Sequence, residues 1–85
     1  MTKELQVEII SPNGKLFLGN CNMVVIPGTE GEIGVMYGHE LILARLKQGE
    51  IAIYNQNQNV TKKLEISGGF AKLLKDDRLL ILVDG

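Results

Sequence analysis

The chain has 85 residues, a formal net charge of −1, one cysteine, one histidine and no tryptophan. That length bounds it to one domain, residues 1–85, which buries only roughly 60–65% of its unfolded surface. A single cysteine excludes an internal disulfide, and with one distant histidine it supplies too few ligands for a zinc site. The near-neutral charge, with no basic stripe interleaved with aromatics, argues against nucleic acid as a partner.

The opening residues MTKELQVEII alternate from the start: Leu5, Val7 and Ile9 fall on one side of a strand, Gln6 and Glu8 on the other. They carry no signal-peptide apolar region. Pro12-Asn13-Gly14 is a tight turn, with proline presetting φ. Cys21 reads as a small buried apolar residue. Met23–Ile26, Leu41–Leu46 and Leu79–Val83 are more continuously apolar. They read as strands covered on both faces or as strands carrying an apolar surface for a partner. In the middle run, alternation sets Ile42 opposite Leu41 and Leu43, which leaves one side free. Gln48-Gly49 and Asn55–Asn59 are expected to close hairpins around the alternating Ile51 and Ile53. Leu64 and Ile66 alternate with Lys63 and Glu65, and Gly68-Gly69 and Lys75-Asp76-Asp77 mark the last turns. The longest apolar run is far short of the roughly 20 residues of a membrane-spanning helix, so no direct lipid insertion is expected. Many short strands with turns every 8–12 residues predict an all-β fold, a small flattened sandwich of two antiparallel sheets packed face to face. No internal repeat or linker interrupts it.

The densest local signal is Gly28–Glu40, GTEGEIGVMYGHE, where Gly28, Gly31 and Gly34 interleave with Glu30 and Glu32 and the run ends at His39. Glycines at that spacing predict positive φ or close approach at several points, so neither a regular helix nor a plain strand is expected. This segment resembles the signature of the epsilon subunit of F-type ATP synthase, called delta in mitochondria: Gly-x-Glu-Gly-Glu-apolar-Gly-apolar, then Gly-His. Ile66-Ser67-Gly68-Gly69-Phe70 is similar to that family's Ser-Gly-Gly turn. The resemblance covers essentially the whole chain and implies the family's N-terminal β-sandwich domain. It departs where relatives commonly carry Ala-Pro after Gly-His, here Glu40 and Leu41, and where many carry threonine, here Ala44.

Catalysis needs a nucleophile with a base, a carboxylate pair in a cleft, or a metal. Ser11 and Ser67 lack a nucleophile-elbow pattern, and Glu30 and Glu32 sit together in what reads as a solvated glycine loop. The glycine spacing matches neither a phosphate loop nor a dinucleotide fingerprint. No catalytic site, cofactor, metal or ATP binding is expected. In the family, ATP binding and inhibition of hydrolysis belong largely to a C-terminal helical hairpin. Val83-Asp84-Gly85 falls where that hairpin would begin, so the chain reads either as a piece ending at a domain boundary or as a short member of the family.

The resemblance implies a non-catalytic central-stalk subunit that links gamma to the ring of c subunits, so that rotation couples proton flow to ATP synthesis. It assigns Ser11, His39 and Leu43 to the gamma contact, and Glu30, Gly31 and Glu32 to the c-ring contact. Read from the residues alone, His39 is a surface or half-buried histidine satisfied by backbone groups, Ser11 a turn cap, and the two glutamates a solvated turn. The implied location is peripheral, on the cytoplasmic face of a bacterial inner membrane. Two rivals stand beside it: a lipoyl- or biotinyl-type carrier module, whose modified lysine would sit at a hairpin tip, and a small hydrolase using Glu30, Glu32 or His39.

Overall fold

The computed structural model describes residues 3–40 and 42–84. Leu41, the first residue of the middle apolar run, lies outside them. Nine strands follow one another: β1 Leu5–Ser11, β2 Gly14–Cys21, β3 Met23–Gly28, β4 Gly31–Met36, β5 Leu43–Leu46, β6 Gly49–Tyr54, β7 Val60–Ile66, β8 Gly69–Leu73 and β9 Arg78–Val83. The pairings fall into two layers, β2-β1-β9-β8-β5 and β4-β3-β6-β7, stitched together by β5 and β3 at Gly28↔Leu46. The result is a curled sandwich, as the alternation predicts.

Burial follows the period of two. Leu5, Val7 and Ile9 of β1 face Leu79, Ile81 and Val83 of β9 and Val24, Ile26, Ile51 and Ile53 of the other layer in one apolar core. All the inward side chains named here are aliphatic, and no charged or polar residue is buried among the described residues. Burying each such side chain contributes about 1.5–3 kcal/mol against leaving it in water. That core is what an 85-residue chain without disulfides has available.

Three details differ from the expectations. β1 and β9 pair in parallel (Val7↔Leu79, Ile9↔Ile81), while the other pairs are antiparallel. Gln48-Gly49 closes no hairpin, because β5 pairs with β8 and β3 whereas β6 pairs with β3 and β7. It is a corner by which the chain crosses between layers, and Gly49 tucks against Pro27 there, where an added Cβ would lie 2.8 Å from the proline Cβ. Finally, the glycine-rich stretch is mostly strand. Gly28↔Gly31 closes a two-residue turn at Thr29-Glu30, and Glu32 to Met36 pair regularly with β3. Positive φ is confined to Gly31 (135°) and Gly38 (80°), so Gly34 extends like its neighbours.

Cys21 ends β2 at 3% exposure, opposite Leu5. Burial, reinforced by the charge of Glu4 and partly offset by a backbone hydrogen bond at Met23, pushes its thiol from 9.0 up to about 11. The thiol therefore stays neutral in the fold while the unfolded chain ionises, and stability falls as pH rises from about 9 towards 11. Alkylation at pH 8 should run on the order of a hundredfold slower in the folded chain than in urea. Equal rates in the two states would show that Cys21 is not buried.

Candidate functional site

Two surfaces of different chemistry stand out, and each follows from strand register. The first is the tip of the β3–β4 hairpin. Glu30 occupies the two-residue turn and Glu32, the second residue of β4, stands opposite Pro27, both exposed. The backbone N–H of Thr29 donates to the Arg45 carbonyl at 3.0 Å and that of Lys47 to the Pro27 carbonyl at 2.9 Å, which lashes the hairpin base to β5. Between hairpin and β5 runs an open groove of about 450 Å³, lined by Gly28 to Ile33 on one side and Leu43, Ala44 and Arg45 on the other. Its carboxylates are solvated, so a glycosidase-like pair in a dry cleft is not what the fold builds. Arg45 is the cation on the far wall, its guanidinium 5.3 Å from the Phe70 ring centroid.

The second surface is the outer face of the five-stranded layer. Register puts Arg45, Phe70, Leu82 and Ile10 in one row across β5, β8, β9 and β1, with Leu43, Lys72, Leu80, Glu8 and Leu18 in the next. Leu43 is 74% exposed and Phe70 and Leu82 are each 46% exposed. A domain that leaves an aromatic ring and several leucines side by side in water presents an interaction surface. Sequence reasoning allowed an exposed apolar surface on Leu41–Leu46 and on Leu79–Val83. It missed Phe70, because two of the three inward positions of β8 are the small Gly69 and Ala71, while the bulky Phe70 points out.

His39 lies beyond the end of β4. Its backbone N–H donates to the Met36 carbonyl at 3.1 Å, and Gly38 N–H donates to Asp77 Oδ1 at 2.8 Å, tying the loop to the β8–β9 turn. Lys3 Nζ stands 5.6 Å from the ring centroid of Tyr37 in the same loop. The imidazole Nδ1 lies 2.9 Å from the Glu40 carbonyl oxygen. A carbonyl can only accept, so Nδ1 donates this hydrogen bond and Nε2 is the ring nitrogen not engaged by it.

The six residues singled out in the sequence therefore do not form one cluster. Glu30, Gly31 and Glu32 come together with Leu43 across the groove. His39 and Leu43 flank the same β4–β5 connection. Ser11 ends β1 at the opposite end of the sandwich, separated from β5 by β9 and β8. Its hydroxyl donates to the Gly14 carbonyl at 3.1 Å and accepts from Asn13 N–H at 3.2 Å, so it serves the turn. Lys62 and Lys63 lie inside β7, opposite Ile53 and Ala52, not at the hairpin tip a carrier lysine requires.

Comparison with known proteins gives a consistent result. Residues 4–85 match the family model described as ATP synthase, Delta/Epsilon chain, beta-sandwich domain. The ATP synthase epsilon chain of Helicobacter pylori (strain Shi470) is 38% identical over 81 residues, covering 95% of this chain and 63% of that protein. That of Granulibacter bethesdensis is 41% identical over 81 residues, covering 95% and 58%. The chain thus spans about three fifths of the length of these curated relatives. Among solved structures, a chain in the cryo-EM structure of the Euglena gracilis mitochondrial ATP synthase, OSCP/F1/c-ring, superposes with a TM-score of 0.86 at 23% identity, covering 98% of this chain and 52% of that one. A chain of the Tetrahymena thermophila mitochondrial ATP synthase central stalk/c-ring reaches 0.79 at 19% identity, covering 99% and 65%. At those identities the likeness speaks for the fold.

Proposed function

Because the chain belongs to the family of ATP synthase delta/epsilon chains and matches their β-sandwich domain, we propose that it works as a rotor piece of a proton-translocating ATP synthase, joining the gamma subunit to the c ring. The observation that carries this reading is the presence, on one small domain, of two exposed surfaces with unlike chemistry. One is the apolar sheet face around Leu43, Phe70 and Leu82. The other is the acidic hairpin Glu30-Gly31-Glu32, which sits across the groove from Leu43. A part that transmits torque must hold two neighbours at once and must not shear. The nine hydrogen-bonded strands supply the stiffness, and the two surfaces supply two separate grips.

In this reading gamma meets the apolar face and the loop beside it, with Leu43 as the desolvated anchor and the imidazole of His39 offering Nε2 for a polar contact. Ser11 extends the same contact to the far end of β1, so gamma has to span the length of the sheet. The hairpin carboxylates meet basic and amide groups on the polar loops of the ring. A stable grip of this kind buries at least ~1,000 Å² in total, about half of it from each partner, so two grips together take roughly a fifth of the 5386 Å² that the domain exposes. The domain performs no bond chemistry of its own in this role, and it sits at the cytoplasmic face of a bacterial inner membrane through its neighbours.

The hairpin assignment is tested by reversing its charges. Glu30→Lys with Glu32→Lys should weaken binding to an isolated c ring by on the order of tenfold, about 1.4 kcal/mol, and should reverse the salt dependence while binding to gamma is unchanged. Undiminished ring binding by the double variant would refute it.

A further inference from the structure

We propose that Asn13 is a site of spontaneous deamidation, the β1–β2 turn converting in the folded chain to a mixture of aspartate and isoaspartate. Asn13-Gly14 is the only asparagine-glycine pair in the sequence. In the reaction the backbone nitrogen of Gly14 attacks the Asn13 carboxamide carbon and loses its proton, and ammonia leaves to give a five-membered succinimide. Water then opens the ring at either carbonyl. One product is aspartate; in the other, isoaspartate, the main chain runs through the side-chain carbon. Glycine favours the attack because no Cβ shields its nitrogen and its backbone rotates freely.

The turn meets each requirement of that chemistry. Pro12, Asn13 and Gly14 are all exposed, so water reaches both the carboxamide and the ring that would form. A Cβ built on Gly14, whose φ is +132°, meets nothing within 4 Å, so no neighbour packs against the site. The Asn13 side chain makes no hydrogen bond among the described residues, its backbone N–H alone being held by Ser11 Oγ. Asn55 shows the contrast: its Oδ1 accepts from Asn57 N–H at 2.9 Å and from Asn59 N–H at 3.0 Å, which pins the carboxamide in place. The attacking nitrogen belongs to the last rung of the hairpin, Ser11↔Gly14, so reaction requires only that this terminal pair fray.

The products change the hairpin in two ways. Either adds a negative charge two residues from Ser11. The isoaspartyl form also lengthens the main chain by one methylene inside a two-residue turn, which opens the Ser11↔Gly14 rung. The inference is independent of what the chain binds.

The test ages the folded 85-residue chain and the same chain in urea at mildly alkaline pH, with intact mass and peptide mapping that separates aspartyl from isoaspartyl forms. Enzymatic methylation of isoaspartate serves as a second readout. In the folded sample, Asn13 should be the first asparagine to gain about one dalton, with isoaspartate in excess, and Asn13→Gln should abolish the gain. Conversion of Asn13 in urea but not in the folded chain, or earlier conversion of Asn55, Asn57 or Asn59 in the fold, would overturn the proposal.

Discussion

Gly69→Ala should unfold the domain or bring it to the edge of unfolding. Gly69 opens β8 at φ +151°, and a Cβ placed there would lie 2.1 Å from the Leu82 carbonyl oxygen and 2.9 Å from the Val83 Cα. Both are backbone atoms of the neighbouring strand, so no side chain can swing aside. The β8–β9 pair would have to part at Gly69↔Val83, the rung beside the single stitch between layers at Gly28↔Leu46. Strain at such a φ costs about 1–3 kcal/mol, and displacing a central strand adds to it, against a total stability of roughly 5–10 kcal/mol. Urea denaturation of Gly69→Ala beside Gly14→Ala separates the two effects, because Gly14 also has positive φ but open space around it. Gly69→Ala should lose about 3 kcal/mol or more and Gly14→Ala distinctly less. Similar losses would mean that backbone strain alone, and not the close approach of β9, makes glycine necessary.

The second large effect separates core from surface within one layer, on β9 and β5, which flank β8. Ile81 of β9 is fully buried among the side chains of both layers. Ile81→Ala should destabilise the fold by about 2–5 kcal/mol, the transfer loss plus the cavity left behind. Leu43→Ala removes the same number of carbons from an exposed side chain and should change stability by less than about 0.5 kcal/mol. The same substitution should weaken binding to gamma by on the order of tenfold or more, as truncating an apolar anchor does. A Leu43→Ala variant that is unstable would move this residue from the partner surface into the core.

The two variants also show where sequence reading succeeds and where it stops. β1 and β6 were legible because their inward aliphatics sit among polar or small neighbours. The continuous run in β9 announced more than a one-sided strand, and Leu82 does emerge on the outer face. Inside β8 the signal is weak: Gly69 must be small because Leu82 backs onto it, so the alternation that marks other strands carries little hydrophobic contrast there. β4 was hidden by its glycines, although Gly34 is extended and only Gly31 needs positive φ. The parallel β1–β9 pair joins residues more than seventy positions apart, such as Val7 and Leu79, and no local pattern encodes it. At the candidate site, the solvated glycine loop carrying Glu30 and Glu32 was legible, whereas the sequence left His39 at the surface or half-buried and the fold exposes it. That Leu43 shares a groove with the glutamates, and that Ser11 stands at the far end, depends on how the two layers close.

The most direct measurement is co-assembly: the chain mixed with gamma and a detergent-solubilised c ring, followed by native mass spectrometry or sedimentation. A rotor piece with two grips predicts one complex holding all three, lost to the ring when Glu30 and Glu32 are reversed and lost to gamma when Leu43 is made charged. Mutual exclusion of gamma and ring, or indifference of the chain to both, would contradict it.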